Sequence, residues 1–221
     1  LRKLGIDPTI FEDKRTGFHA TLFRDDNGRY VLSYEGTNFG DLTGDVANDI
    51  EGAAGISPQV RQAITAATSV KERLMSQGIA DGNFSLTGHS LGGELAAAGS
   101  IATGTKATTF DAAGLSHSSI NEAMKVAKQN GYFTSEVDAR ARVENYHFTT
   151  DILTNTQRSL PLPSAYGKQR EVQGKPIDWL RHPFSSMGHG LDIMKERYDE
   201  RYGHLYGAQK AQNQDQEVPI Y

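Results

Sequence analysis

The chain has 221 residues and a formal net charge of −4 at pH 7, a length that suits one sizeable domain with its own hydrophobic core. The acidic balance argues against nucleic acid as a partner, because phosphate binding needs a surplus of Lys and Arg. Cysteine is absent, which excludes thiol catalysis, thiolate zinc sites and disulfides, and no apolar run is long enough to cross a bilayer. The composition therefore predicts a soluble globular protein, and the start at Leu1 without a Met is what we expect of a domain cut from a longer chain.

A β-hairpin is the first predicted element. An apolar-rich strand from Gly17 to Arg24 is followed by the turn sequence Asp-Asp-Asn-Gly and by a second strand from Arg29 to Tyr34. We expect Asn27 and Gly28 to supply the positive φ angles that a tight hairpin turn requires.

Helices and strands then alternate along the chain. The predicted elements are a helix capped by Ser57 and ending near Gly78, a strand at Phe84–Thr87, a helix at Glu94–Ala102, a strand at Thr105–Phe110, a helix at Ser118–Asn130, a strand at Val143–Phe148 and a final helix from about Leu191 to Tyr202. This alternation implies an α/β fold with a mainly parallel sheet covered by helices on both faces. Residues 154–188 are predicted to form a long irregular excursion. We expect a single domain over 1–207 and a loosely held polar tail over 208–221.

The sequence Gly88-His89-Ser90-Leu91-Gly92 fits the pattern Gly-x-Ser-x-Gly between a predicted strand and a predicted helix. That context is typical of a nucleophile elbow, a sharp turn that needs small residues two positions either side of the serine. Ser90 is therefore the predicted nucleophile, and the amide of Leu91 is a predicted oxyanion donor at the helix N-terminus. We expect His89 to be a packing residue that points away from the hydroxyl. The alternative is a glycine-rich turn with an incidental serine.

The segment Thr87–Gly93, preceded by Tyr-Glu-Gly-Thr at 34–37, resembles the class 3 lipases of fungi, plants and bacteria. It is most similar to the bacterial branch that includes phospholipase A1-type enzymes and antibacterial lipase effectors. The resemblance extends over about residues 17–200, through Thr109-Phe110 and Asp151-Ile152-Leu153 to His189. It implies the α/β-hydrolase fold, a Ser-Asp-His triad and chemistry that needs no metal or other cofactor.

In this family a Ser or Thr that ends an early strand contributes the second oxyanion donor, and Thr37 stands at that position. Glu35 replaces the family's usual Arg. The family carries a lid after this turn, and here residues 38–57 have a three- to four-residue apolar spacing that predicts a short amphipathic helix. Its apolar residues are Phe39, Leu42, Val46 and Ile50. The same stripe would equally suit packing on the sheet.

The catalytic acid has three candidates between the nucleophile and the final helix, namely Asp111, Asp151 and Asp178. It must orient the histidine, so it belongs on a loop at the same edge of the sheet as the serine. Asp151 directly follows the strand that ends at Phe148. It also agrees with the family order and with the chain order Ser, Asp, His. Asp151 is therefore the predicted acid, with Asp111 as the main alternative.

The general base follows the acid in this chain order, which leaves His182, His189 and His204. Gly188 and Gly190 flank His189 just before the final helix, and the family's histidine lies ahead of its closing helix. His189 is the predicted base and His182 the runner-up. His147 alternates with apolar residues on a strand, so we expect a core histidine there.

These residues predict a two-step acyl transfer through an acyl-enzyme on Ser90. The resemblance implies a lipid or phospholipid ester substrate at a membrane surface. It also implies a secreted or delivered bacterial effector with a cognate inhibitor protein. The alternatives are a small-ester or thioester hydrolase on the same scaffold and a ligand-binding pseudoenzyme or scaffold that has lost catalysis.

Overall fold

The computed structural model describes residues 4–36, 56–132, 135–149 and 163–173. Its centre is a seven-stranded sheet whose strands lie side by side in chain order. The strands are β1 (Glu12–Asp13), β2 (Phe18–Arg24), β3 (Tyr30–Tyr34), β4 (Phe84–His89), β5 (Lys106–Phe110), β6 (Val143–Phe148) and β7 (Lys168–Val172). The pairs β1–β2 and β2–β3 are antiparallel, and all pairs from β3 to β7 are parallel. The carboxyl ends of β3 to β7 therefore meet at one edge of the sheet, called here the carboxyl edge.

The described helices are α1 (Pro58–Ser76), α2 (Leu91–Thr103), α3 (His117–Gln129) and α4 (Glu136–Ala141). The helices α1, α2 and α3 pack side by side in one layer, with α2 in the middle against β3, β4 and β5. This mostly parallel sheet with crossover helices is the α/β-hydrolase fold that the sequence predicts. A helix layer on the opposite face lies outside the described residues and stays a prediction. In the described ranges no helix has the length and apolar content needed to cross a bilayer.

Helix α1 begins and ends where its sequence signals predict. The Ser57 hydroxyl accepts a hydrogen bond from the amide of Val60 at 3.1 Å, and Pro58 occupies the first helical position. The helix is terminated by Gly78, which has a φ of 75°. Apolar residues at three- and four-residue intervals form one buried face of the helix: Val60, Ile64, Ala67, Val70 and Leu74.

The N-terminal hairpin is confirmed, but its turn differs from the prediction. The amide of Asp25 donates to the carbonyl of Arg29 at 2.9 Å, which leaves a three-residue loop. Gly28 has a φ of 76°, whereas Asn27 does not adopt a positive φ. The Asp25 carboxylate explains this, because it accepts hydrogen bonds from the amides of Asn27 at 3.0 Å and Arg29 at 2.8 Å. Those bonds favour an ordinary turn followed by a single left-handed glycine.

Three elements of the structure were not predicted from the sequence: the two-residue strand β1, the strand β7 and the helix α4. The predicted irregular excursion contains β7, an added parallel strand at the side of β6. Four of the five β7 residues are exposed and their composition is polar, so the strand lacks the usual apolar signal. The short helix α4 was also missed. The predicted helix within 38–57, the final helix from Leu191 and the tail from 208 lie outside the described residues.

Candidate active site

Ser90 alone forms the junction between β4 and α2. Its backbone angles are φ 56° and ψ −125°, which are strained for a non-glycine residue. Its amide donates to the carbonyl of Phe110 at 3.0 Å, and its carbonyl accepts from the amides of Gly93 at 2.9 Å and Ala113 at 3.0 Å. These bonds fix the strained residue from two neighbouring segments, as a nucleophile elbow requires.

Glycines around Ser90 are needed for the chain to turn so sharply. A β-carbon at Gly88 would overlap the carbonyl of Gly92, and one at Gly92 would overlap the carbonyl of Tyr34. A β-carbon at Gly93 would lie 2.6 Å from that of Ala112. The sequence pattern therefore reflects close backbone packing on three sides of the elbow.

The predicted oxyanion donors belong to segments that meet at this elbow. Leu91 is the first residue of α2, so its amide is not used by the helix ladder. A β-carbon at Gly36 would lie 2.7 Å from the carbonyl oxygen of His89 and 3.5 Å from the Ser90 β-carbon. The end of β3 therefore packs directly on the elbow. Thr37, the next residue, lies outside the described residues, and its role stays a prediction.

Glu35 stands where the family usually has an arginine, and it pairs with a histidine. The Glu35 carboxylate lies 2.7 Å from Nδ1 of His19 across the β2–β3 pair. The preceding residue is anchored on the other side of the sheet, where the Tyr34 hydroxyl donates to the carbonyl of Ala63 at 2.9 Å. Complete burial raises the pKa of Tyr34. Together these contacts fix Tyr34 and Glu35 at the end of β3 without an arginine.

Asp111, the alternative acid, is completely buried at the end of β5. It has a positive φ of 41°, its amide donates to the carbonyl of Tyr146 at 2.8 Å, and its Oδ1 accepts from the amide of Phe148 at 2.9 Å. One carboxylate oxygen is therefore bound to the main chain where β6 ends. This contact ties the end of β5 to the end of β6.

Asp151 and His189 lie outside the described residues, so their convergence on Ser90 stays a prediction. The described strands nevertheless fix where their loops begin. Residue 151 comes three positions after Phe148, the end of β6, and residue 189 comes after Val172, the end of β7. Serine, acid and base thus follow β4, β6 and β7, whose carboxyl ends lie at the same edge. His182, Asp178 and His204 also lie outside the described residues.

The other histidines near the elbow are in structural positions. His147 is buried on β6, where a core histidine was predicted. Gly88 faces α2, so the next residue along the strand, His89, faces the opposite side of the sheet. This placement agrees with a packing role for His89.

Glu94 is a titratable residue near the site that sequence reasoning missed. It lies in the first turn of α2, one helical turn after Ser90, and its side chain is half-buried. Burial raises the pKa of its carboxyl to about 7. Its position in the sequence could have indicated burial, because Glu94 is the one charged residue in a helix otherwise made of small and apolar residues and one Thr.

The chain matches a known family over most of its length. The model of the Tle-like phospholipase domain, a phospholipase-like family, matches residues 1–190. The chain belongs to this family. Membership confirms the predicted bacterial phospholipase branch of the lipases.

One relative and two solved structures are also similar to this chain. The extracellular phospholipase A1 of Serratia liquefaciens is 35% identical over 204 residues, which cover 85% of this chain and 58% of that protein. The chain thus spans little more than half of that relative. The extracellular lipase LipA of Serratia marcescens is 18% identical with a TM-score of 0.36, over 68% of this chain and 26% of that one. The carboxylesterase EstE1, cloned from a metagenomic library, is 13% identical with a TM-score of 0.39, over 92% of both chains.

Proposed function

We propose that this chain is a hydrolytic domain that cleaves a carboxylic ester of a phospholipid through an acyl-enzyme on Ser90. The conformation of Ser90 carries the proposal, because a serine with a φ of 56° forms the entire turn between β4 and α2. Residues held at such angles cluster at functional sites. Ser90 also lies at the carboxyl edge, where open α/β sheets bind their ligands.

In the proposed reaction His189 accepts the proton of the Ser90 hydroxyl as its oxygen attacks the ester carbonyl. The oxyanion accepts hydrogen bonds from the amides of Leu91 and Thr37, next to the positive end of the α2 dipole. Collapse of the intermediate breaks the bond to the leaving alcohol, which takes the proton from His189. Water then attacks the acyl-enzyme with His189 as base, which releases the fatty acid and restores Ser90.

Asp151 is the proposed acid that orients His189 and stabilises its protonated form. The family order supports this choice, because Asp151 follows β6, whereas Asp111 follows β5 and its Oδ1 accepts from the amide of Phe148. An asparagine at 111 keeps that acceptor oxygen and also tolerates a positive φ. We therefore expect Asp111→Asn to retain most activity and Asp151→Asn to lose roughly 10⁴-fold in kcat. If Asp111→Asn lost activity and Asp151→Asn retained it, the catalytic acid would be Asp111.

Phospholipid is the proposed substrate class, because the family is phospholipase-like and its Serratia liquefaciens relative is named a phospholipase A1. An A1-type reaction releases the acyl chain from position 1 of the glycerol. The test uses vesicles of a phosphatidylethanolamine with different acyl chains at the two positions, and mass spectrometry identifies the released fatty acid and the lysolipid. We expect release of the position-1 chain by the wild-type protein and none by Ser90→Ala. Ser85→Ala, a half-buried serine near the other end of β4, is the matched control and should retain activity.

Two rivals are separated by their substrates. A small-ester or thioester hydrolase would prefer short p-nitrophenyl esters or thioesters and leave the vesicles intact. A pseudoenzyme would hydrolyse none of these. Vesicle hydrolysis that survives Ser90→Ala would remove the proposed mechanism altogether.

We further propose that the chain is the toxic part of a secreted or delivered bacterial protein that a cognate inhibitor neutralises. This proposal is supported by the resemblance to antibacterial lipase effectors and by the similarity of the chain to the extracellular phospholipase A1 of Serratia liquefaciens. Expression directed to the bacterial periplasm should stop growth, whereas cytoplasmic expression should not. Toxicity that is equal for the wild-type protein and Ser90→Ala would contradict a catalytic effector.

A further inference from the structure

A buried amide connects the elbow to the neighbouring strands. Asn145 lies in the middle of β6 and is 1% exposed. Its Oδ1 accepts hydrogen bonds from the Thr109 hydroxyl on β5 at 2.9 Å and from the main-chain amide of Ala112 at 3.3 Å. Its Nδ2 donates to Oε1 of Gln169 on β7 at 2.9 Å. One side chain thus contacts both neighbours of β6 and the loop that follows β5.

The loop 111–113 that Asn145 holds is the segment that supports Ser90 from behind. The amide of Ala113 donates to the carbonyl of Ser90 at 3.0 Å. Ala112 packs so closely on the elbow that a β-carbon at Gly93 would lie 2.6 Å from its own β-carbon. A displacement of this loop would therefore move the main chain of the nucleophile.

The amide is also held from the β7 side. Gln169 Nε2 donates to the carbonyls of Ala165 at 2.9 Å and Gly167 at 3.2 Å. These bonds leave Gln169 Oε1 turned toward Asn145 Nδ2. Asn145 therefore uses its Oδ1 as an acceptor and its Nδ2 as a donor at the same time. Neither a hydroxyl nor an aliphatic side chain of similar size could make the same bonds.

We propose that Asn145 is a positioning residue for catalysis, which sets the place of Ser90 through the loop 111–113. This inference rests on the proposed function, because it concerns the geometry of the proposed nucleophile. Asn145 does not touch the substrate. It acts through Ala112 and Ala113, so its loss lowers the reactivity of Ser90 more than it lowers lipid binding.

The test compares variants by their rate of reaction with a fluorophosphonate probe, which reports the reactivity of Ser90 without lipid binding. Asn145→Leu removes all three hydrogen bonds, and Asn145→Asp keeps the Oδ1 acceptor for Thr109 and Ala112. Thr87→Val is the matched control, because Thr87 also donates across neighbouring strands, to the carbonyl of Thr108 at 2.8 Å, but does not bind the loop. Thermal unfolding identifies a temperature at which every variant is folded.

We expect Asn145→Leu to lose roughly 100-fold in labelling rate and in kcat, with a KM within about threefold of the wild-type value. Asn145→Asp should recover part of this loss, because it keeps the acceptor for the loop but loses the donor to Gln169 and buries a carboxyl group. Thr87→Val should label at the wild-type rate even if its thermal stability falls. Labelling of Asn145→Leu at the rate of Thr87→Val would overturn the proposal and leave Asn145 as a purely structural residue. A wild-type protein that is not labelled at Ser90 would instead contradict the proposed function itself.

Discussion

The burial of Glu94 predicts an unusual dependence of stability on pH. Its carboxyl lies in the first turn of α2, where only Leu91 and Glu94 are not fully buried. Burial raises the pKa of this carboxyl from the ordinary 4.5 to about 7, because the charged form loses contact with water. Between these two values the folded protein keeps a proton that the unfolded chain has already released.

This difference sets the sign and the size of the effect. The folded state binds more protons than the unfolded state in this window, so the free energy of unfolding falls as the pH rises through it. A change from 4.5 to about 7 corresponds to about 3 kcal/mol at full effect. The loss in the free energy of unfolding is complete above pH 7 and absent below 4.5, the pKa of the carboxyl in the unfolded chain. A carboxylate in an ion pair behaves in the opposite way, because its contribution is lost as the pH falls.

Urea unfolding of the wild-type protein and of Glu94→Gln, from about pH 4 to about pH 8, measures this effect directly. We expect equal stabilities at the acidic end and an advantage of up to about 3 kcal/mol for Glu94→Gln at the alkaline end. Glu72→Gln, which changes an exposed glutamate on α1, is the control and should follow the wild-type curve. If the curves of Glu94→Gln and the wild-type protein run parallel, the carboxyl titrates as it does in water and the reasoning is refuted.

Three further substitutions test the packing around the site and the helices that support it. Gly92→Ala forces a methyl group against the carbonyl of Tyr34, so we expect roughly a 100-fold loss of esterase activity; full activity would show that the elbow can relax. Lys71→Met removes a buried ammonium that donates to the carbonyl of Thr103 at 2.5 Å and pairs with Asp81 at 2.9 Å; urea unfolding should show a loss of about 2 kcal/mol, and no loss would contradict a stabilising role of these two contacts. Ser57→Ala removes the N-cap of α1 and should lower the free energy of unfolding by about 1 kcal/mol with activity unchanged; a loss of activity without a loss of stability would contradict this expectation.

The sequence predicted those elements whose signals are local. The helix α1 carries a serine cap, a first-turn proline and a terminating glycine, and its bounds agree with the prediction. The strand β6 alternates buried and half-buried residues from Val143 to His147, and its predicted bounds of Val143 and Phe148 match the structure. The elbow was predictable because a strand, a glycine-flanked serine and a helix leave few other conformations to the chain.

Elements that depend on distant partners escaped the prediction. The strand β7 is made of polar, mostly exposed residues and exists because β6 offers it a pairing edge. The left-handed conformation of Asp111 likewise follows from its hydrogen bonds to Tyr146 and Phe148, which no local pattern reveals. The raised pKa of Glu94 arises from burial by the folded chain, so its sequence position could only suggest it.

We infer that the strained turn between β4 and α2 presents Ser90 as the nucleophile. The most direct measurement is a fluorophosphonate reaction followed by peptide mass spectrometry, which locates the modified residue. We expect a single phosphonyl adduct on Ser90, which is absent in Ser90→Ala, and we expect phospholipid hydrolysis to be lost as the adduct forms. An adduct on another residue, or undiminished hydrolysis by a protein fully modified at Ser90, would contradict it.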